Sequence, residues 1–196
     1  MYGAEVPAVD ERLGRDDYYA AAMAILAEDG VGGLTTTRLC ERLNVTRGSL
    51  YHHFASGPAF HDALIDHWEH ALLPAQQSAL QLIEPEARID LLHQLALAVD
   101  HEAEKALRAW GHTNPTVAAA IARVDAIRER ELARCFIEVG IPRERAATLA
   151  RVGYSILLGA QQLDDHVDRH RLEHVLAEYR HWVDEAVRTA TRSTRR

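Results

Sequence analysis

The sequence predicts an all-α protein, with a three-helix unit of helix-turn-helix type at the N-terminal end and a longer helical body after it. Three observations predict this. The stretch LTTTRLCERLNVTRGSLYHHF at 34–54 lays out two short helices, each opened by a threonine, around a tight turn. Apolar residues recur at helical spacing from residue 15 onward, with no strand alternation. Pro and Gly then punctuate the remainder into long helical segments.

A loosely held arm is expected over residues 1–14, with Pro7 near its middle. A helix follows over 15–29, where Tyr19, Ala22, Met23 and Leu26 make one apolar stripe. It ends at Gly30, and the GVGG loop carries Leu34 to the core. Thr35 is an N-cap, because its hydroxyl can accept an orphan amide proton of the first turn. The next helix buries Leu39, Cys40 and Leu43 and turns Arg38, Glu41 and Arg42 outward. Asn44 ends it, since Asn tolerates the left-handed conformation. Val45 plugs the turn, Thr46 is a second N-cap, and residues 47–53 form a second short helix buried through Leu50, with Phe54 following.

The outer face of that second helix points to a ligand. Thr46, Arg47, Gly48 and Ser49 crowd its first turn, followed by Tyr51, His52 and His53. A glycine inside a helix costs about 1 kcal/mol against alanine. Gly48 therefore implies close approach by something outside, as when the N-terminal end of a recognition helix meets base edges and phosphates.

Thr35, Leu39-Cys40, Leu43-Asn44-Val45-Thr46, Gly48-Ser49-Leu50-Tyr51 and His53-Phe54 together resemble the N-terminal domain of the tetracycline-repressor (TetR) family of transcriptional regulators. The detailed resemblance covers roughly residues 15–70; the rest matches in length, helicity and layout. It implies a DNA-binding domain over 1–56 and a helical regulatory, ligand-binding and dimerisation domain over 57–196. It also implies a homodimer on a palindromic double-stranded operator, released by a small, largely apolar effector, with no enzymatic activity and no cofactor. The DNA-contacting set it implies is Thr35, Thr36, Thr37, Arg38, Thr46, Arg47, Gly48, Ser49, Tyr51, His52 and His53. Two positions depart from the family. Asn44 stands where Gly is usual, a mild change. Gly57, followed by Pro58, stands where a phosphate-contacting Lys is usual, which implies weaker and less salt-sensitive DNA binding.

Charge argues the other way. The chain carries a formal net charge of −7. Over residues 1–70 five Arg face eleven Asp and Glu, a balance of −6. Within 35–57 the sign reverses to +2, from Arg38, Arg42 and Arg47 against Glu41. A local basic face on an acidic body can still attract phosphate, because charge is screened beyond ~8–10 Å. At 196 residues and 47% hydrophobic the chain can bury a substantial core. No apolar run approaches the ~20 residues that span a bilayer, and the opening MYGAEVPAVDERLG lacks the basic and apolar regions of a signal peptide. Cys40 and Cys135 fit small buried thiols of a reducing cytoplasm, a disulfide or redox pair being the alternative.

In the body, helices are expected at 57–73, 75–83, 85–109, 115–139, 143–163 and 171–190, with Pro74 interrupting the first and RTATRSTRR a frayed basic tail. The last two helices carry the apolar residues expected at a dimer interface: Val152, Gly153, Ile156, Ala160, Leu163, Val175, Tyr179, Trp182 and Val183. Gly153 and Gly159 would permit close helix approach. Trp68, His93, Leu97, Trp110, His112, Tyr154 and Leu158 are the candidate ligand-pocket residues, aromatic and apolar walls with a few polar groups. His166, His170 and His174 lie four apart beside acidic residues, a spacing able to bind a metal. That segment reads as a solvated loop and helix start, so no metal site is assigned. No nucleophile–base pair, phosphate-binding glycine loop or cysteine metal motif is present in the sequence.

Overall fold

A computed structural model describes residues 13–81 and 84–194. Among the described residues there are nine helices and no strand. They are α1 (Arg15–Gly33), α2 (Thr36–Leu43), α3 (Arg47–His53), α4 (Gly57–Gln81), α5 (Pro85–Ala98), α6 (His101–Gly111), α7 (Pro115–Glu138), α8 (Arg143–Leu163) and α9 (Arg169–Thr194).

The helix-turn-helix forms from the capping chemistry its sequence carries. Thr35 accepts the Arg38 amide at 3.2 Å, and Thr46 accepts the Ser49 amide at 3.2 Å. Between the two helices Asn44 takes the left-handed conformation, φ 53° and ψ 45°, and is the one non-glycine with positive φ among the described residues. In α1 the backbone leaves the helix at Gly30, φ 65°, and a further turn runs to Gly33. The buried face of α1 is wider than the stripe read from sequence. Tyr18, Ala22 and Ile25 are fully buried, Leu26 almost so, and Met23 only packs at the edge.

Three segment boundaries differ from the sequence expectation. Pro74 does not end α4, which continues to Gln81; a proline removes one backbone hydrogen bond, and a long helix packed elsewhere absorbs that loss. Residues 82–83 of the expected 75–83 helix lie outside the described residues, as does the arm over residues 1–12. The expected 85–109 helix is two, broken at Val99 and Asp100. Asp100 caps α6 by accepting the Ala103 amide at 3.0 Å. The expected basic tail is helical through Thr194.

Three clusters make the core. The first joins the head to the body without a seam: Tyr18, Leu39, Leu50 and Phe54 pack with Phe60, Leu64 and Trp68 of α4, Leu107 and Trp110 of α6, and Val117 and Val124 of α7. The second joins α5, α7, α8 and α9 through Ile89, Phe136, Ala150, Tyr179 and Val183. The third joins Tyr154 and Leu157 of α8 to Leu172 and Leu176 of α9. Cys40 and Cys135 are free, buried and in different clusters. Burial pushes both thiols up, Cys135 to about 11.

Asn44→Ala should destabilise the protein by about 1–2 kcal/mol, because alanine pays the left-handed penalty that Asn partly escapes, while Asn44→Gly should not destabilise it. Urea unfolding followed by circular dichroism measures both.

Candidate nucleic-acid interface and body cavity

The exposed side of α3 is the candidate interface. Tyr51 is 48% exposed and has no protein partner among the described residues. Thr46, Arg47 and Gly48 are exposed at the first turn, and His52 beyond it. A Cβ at Gly48 would meet only the Thr46 hydroxyl, at an ordinary 3.5 Å. Nothing inside the protein demands glycine there, so packing within the described residues does not account for it.

The remaining members of the sequence-derived set are tied to the head itself. The Ser49 hydroxyl lies 2.9 Å from the Tyr18 hydroxyl. The His53 ring packs at 5.3 Å from Tyr18, and is half-buried. Thr35 and Thr46 spend their side chains on caps, and Thr37 accepts Arg47 Nη2 at 2.7 Å. Thr36 faces the start of α4: a Cβ on Gly57 would stand 3.9 Å from its hydroxyl, so a longer side chain has room.

The local positive charge read from sequence is largely answered inside the head. Arg42 binds Glu28 with both terminal nitrogens, at 2.7 and 2.9 Å. Arg38 donates to Asp29 at 2.9 Å. Hydrogen bonding from Arg42 holds the Glu28 carboxyl below its usual range. The acids come from α1, so a count over the helix-turn-helix alone missed them. Replacing them together, Glu28→Gln with Asp29→Asn, should free Arg38 and Arg42 for phosphate. DNA binding should tighten at low salt, and the slope of log affinity against log salt should steepen by about one to two; fluorescence anisotropy across a salt series measures both.

Behind the head, the body holds a cavity of about 120 Å³ open to water-sized molecules, between α5, α7, α8 and α9. Of the seven pocket residues expected from sequence, His93 and Tyr154 line it. Leu97 and Leu158 pack in the adjoining third cluster. Trp68 and Trp110 belong instead to the core shared with the head, and His112 is exposed at the end of α6. Among the described residues neither α4 nor α6 contributes to the cavity, and the two tryptophans pack instead in the core those helices share with α1. The lining residues missed from sequence include Leu92, Leu132, Phe136 and Arg128.

A buried polar network backs one wall. Arg128 binds Glu104 with both terminal nitrogens, at 3.1 and 2.6 Å, and Glu104 is 3% exposed. Fully buried Gln161 donates to the same carboxylate at 3.2 Å. Arg108 pairs with Asp125 at 2.9 and 2.8 Å, and the Tyr154 hydroxyl donates to Asp125 at 2.7 Å. Burial works to raise the Asp125 carboxyl, but hydrogen bonds from Arg108 and Tyr154 outweigh it and hold it below its ordinary value. Burial pushes Tyr154 up to about 12. Glu104→Gln would strand the Arg128 charge and should cost about 3–5 kcal/mol of stability, read from thermal and urea melts.

The residues expected at a dimer interface divide. Leu163, Val175 and Trp182 are exposed, at 86%, 44% and 55%. Val152, Ile156 and Ala160 are half-buried. Gly153, Tyr179 and Val183 are buried within the protomer. A Cβ on Gly153 would stand 2.7 Å from the Tyr179 ring, so the close approach this glycine permits is between α8 and α9 of one chain. Gly159, by contrast, has open space around it. His166, His170 and His174 are exposed, and no group of three or more metal-binding side chains is gathered among the described residues.

These features define the class: an all-helical protein with a helix-turn-helix head fused to a helical body. The sequence profile of the bacterial regulatory proteins of the tetR family matches residues 19–56. Solved structures match across almost the whole chain. A transcriptional regulator from Rhodococcus sp. Rha1 superposes with a TM-score of 0.68 at 19% identity, over 92% of this chain and 97% of that one. A TetR transcription regulator from Haloarcula marismortui gives 0.68 at 18% identity, over 84% and 95%. A regulator from Saccharomonospora viridis, solved in complex with choline, gives 0.70 at 13% identity, over 84% and 94%. At these identities the likeness is one of fold. No curated protein sequence matches the chain significantly. The head thus matches the tetR-family model over residues 19–56, and the chain as a whole shares the fold of solved transcriptional regulators. Among the described residues no helix is long and apolar enough to cross a membrane.

Proposed function

We propose that this chain is a TetR-family transcriptional regulator, a cytoplasmic repressor that binds a palindromic operator as a homodimer and is released by a small, largely apolar effector. The observation that carries this is the continuity of the first core cluster. Tyr18 and Leu50 of the head share one packed core with Trp110 of α6 and Trp68 of α4. A body helix that shifts therefore re-aims the head, since packed cores transmit displacement rather than absorb it.

Each protomer lays α3 in one major groove, with Tyr51 and the first turn toward the bases. Two copies then read half-sites spaced by about one helical turn, ~34–36 Å, or more. The exposed Leu163, Val175 and Trp182 on α8 and α9 supply apolar surface for the partner copy. The cavity beside α5 supplies the effector site. The choline complex of the Saccharomonospora viridis regulator is a precedent for a small molecule on this fold, and nothing finer. The effector acts only to the extent that it binds the released form better than the DNA-bound form.

Selection from random duplex DNA, at low and near-physiological salt, tests the proposal. A palindrome should emerge for the wild type and be lost with Tyr51→Ala, whose side chain has no structural partner to lose. Absence of enrichment at either salt would reject operator binding by the free protein. The paired state of Arg38 and Arg42 and the glycine at 57 would then mark a head that has given up DNA.

A further inference from the structure

The charges around the cavity narrow the effector's chemistry. Two guanidinium groups line it, those of Arg128 and Arg180. Arg128 is held bidentately by buried Glu104. Arg180 donates to Asp184 at 2.9 Å and also pairs with Asp90. The two tyrosine hydroxyls are spent as well: Tyr154 donates to Asp125 at 2.7 Å, and Tyr179 to the Leu149 carbonyl at 2.6 Å. His93 is different. It lines the cavity from α5 and has no hydrogen bond or ion pair among the described residues.

We propose that the cavity takes an uncharged, mostly apolar molecule with a single hydrogen-bonding group, and that His93 is the side chain that meets that group. The proposal rests on the assignment of the cavity as the effector site. A ligand carboxylate would have to draw Arg128 away from Glu104 and leave that buried carboxylate unpaired, a costly exchange. A ligand ammonium would meet two guanidinium groups while the neighbouring acids are already engaged. A neutral molecule disturbs neither pair. Its body gains from the apolar walls that Leu92, Leu132 and Phe136 provide. One hydroxyl or carbonyl then satisfies the imidazole, which both donates and accepts.

The test uses four compounds on one skeleton: 4-phenylbutanol, 4-phenylbutyrate, 4-phenylbutylammonium and butylbenzene. Each is titrated calorimetrically into the full chain, and thermal melts follow in parallel. The alcohol should bind about tenfold or more tighter than either charged compound, and several-fold tighter than butylbenzene. His93→Leu should erase the preference for alcohol over butylbenzene, while His93→Gln, which keeps a donor and an acceptor, should retain part of it. A carboxylate or ammonium that binds as tightly as the alcohol would overturn the neutral-ligand inference and leave the effector site standing. An alcohol preference unchanged in His93→Leu would overturn the role of His93. No binding by any of the four would overturn the effector assignment together with the proposal built on it.

Discussion

The structure depends on one packing event: the burial of α1 against the helix-turn-helix on one side and against α6 on the other. Tyr18 shows why. Its ring is wholly buried, 5.8 Å from Phe54 and 5.3 Å from His53, and its hydroxyl reaches Ser49 at the start of α3. Burying side chains of this size contributes roughly 1.5–3 kcal/mol each, and several together outweigh the two caps of α2 and α3, at about 1 kcal/mol apiece. Two helices of eight and seven residues cannot hold their shape alone in water. They are helical because α1 gives their apolar sides somewhere to go.

The same packing removes the boundary between head and body. The sequence suggests a division near residue 56, where α3 ends and Gly57-Pro58 opens the next helix. In the folded chain the core crosses that point, with Phe54 and Phe60 at 4.9 Å and His61 against Trp110 at 5.1 Å. A head held only by a linker could not sense the body. One that shares its core with α4 and α6 is packed to move with them.

What was legible in the sequence follows from how local each signal is. The helix-turn-helix was read to the residue, because Thr35, Asn44 and Thr46 each announce a backbone state within four residues of themselves. The breaks at Gly140-Ile141-Pro142 and at residues 111–115 were equally plain. The break at Asp100 was not: Asp is a capping residue, but an aspartate inside a charged, helix-favouring run carries no such mark until the chain has turned. Facing was harder still. Trp110 and Trp68 read as pocket walls because aromatic residues on body helices face an interior, yet there were two interiors and they belong to the one shared with the head. Likewise the α9 stripe through Leu172, Leu176, Tyr179 and Val183 is apolar because α8 and α5 cover it, leaving Val175 and Trp182, seven apart, as the exposed face. Periodicity finds a buried stripe without naming the surface that buries it.

Electrostatics carried the largest reversal, and its cause is general. The run 35–57 is basic when counted alone, but Glu28 and Asp29 sit one helix earlier and fold directly onto Arg38 and Arg42. These pairs are solvent-exposed, so each contributes little to stability. On the proposed function, their weight falls on DNA binding instead. A phosphate must compete with a carboxylate already in place, and every arginine that stays paired releases one fewer counterion equivalent from the duplex. With glycine at 57 as well, the proposed DNA contact leans on the α3 backbone and the Tyr51 ring rather than on charge. Such contacts need close fit. A head that relies on fit would lose its hold when the spacing between two heads changes slightly, which is the property the proposed ligand-released repressor requires.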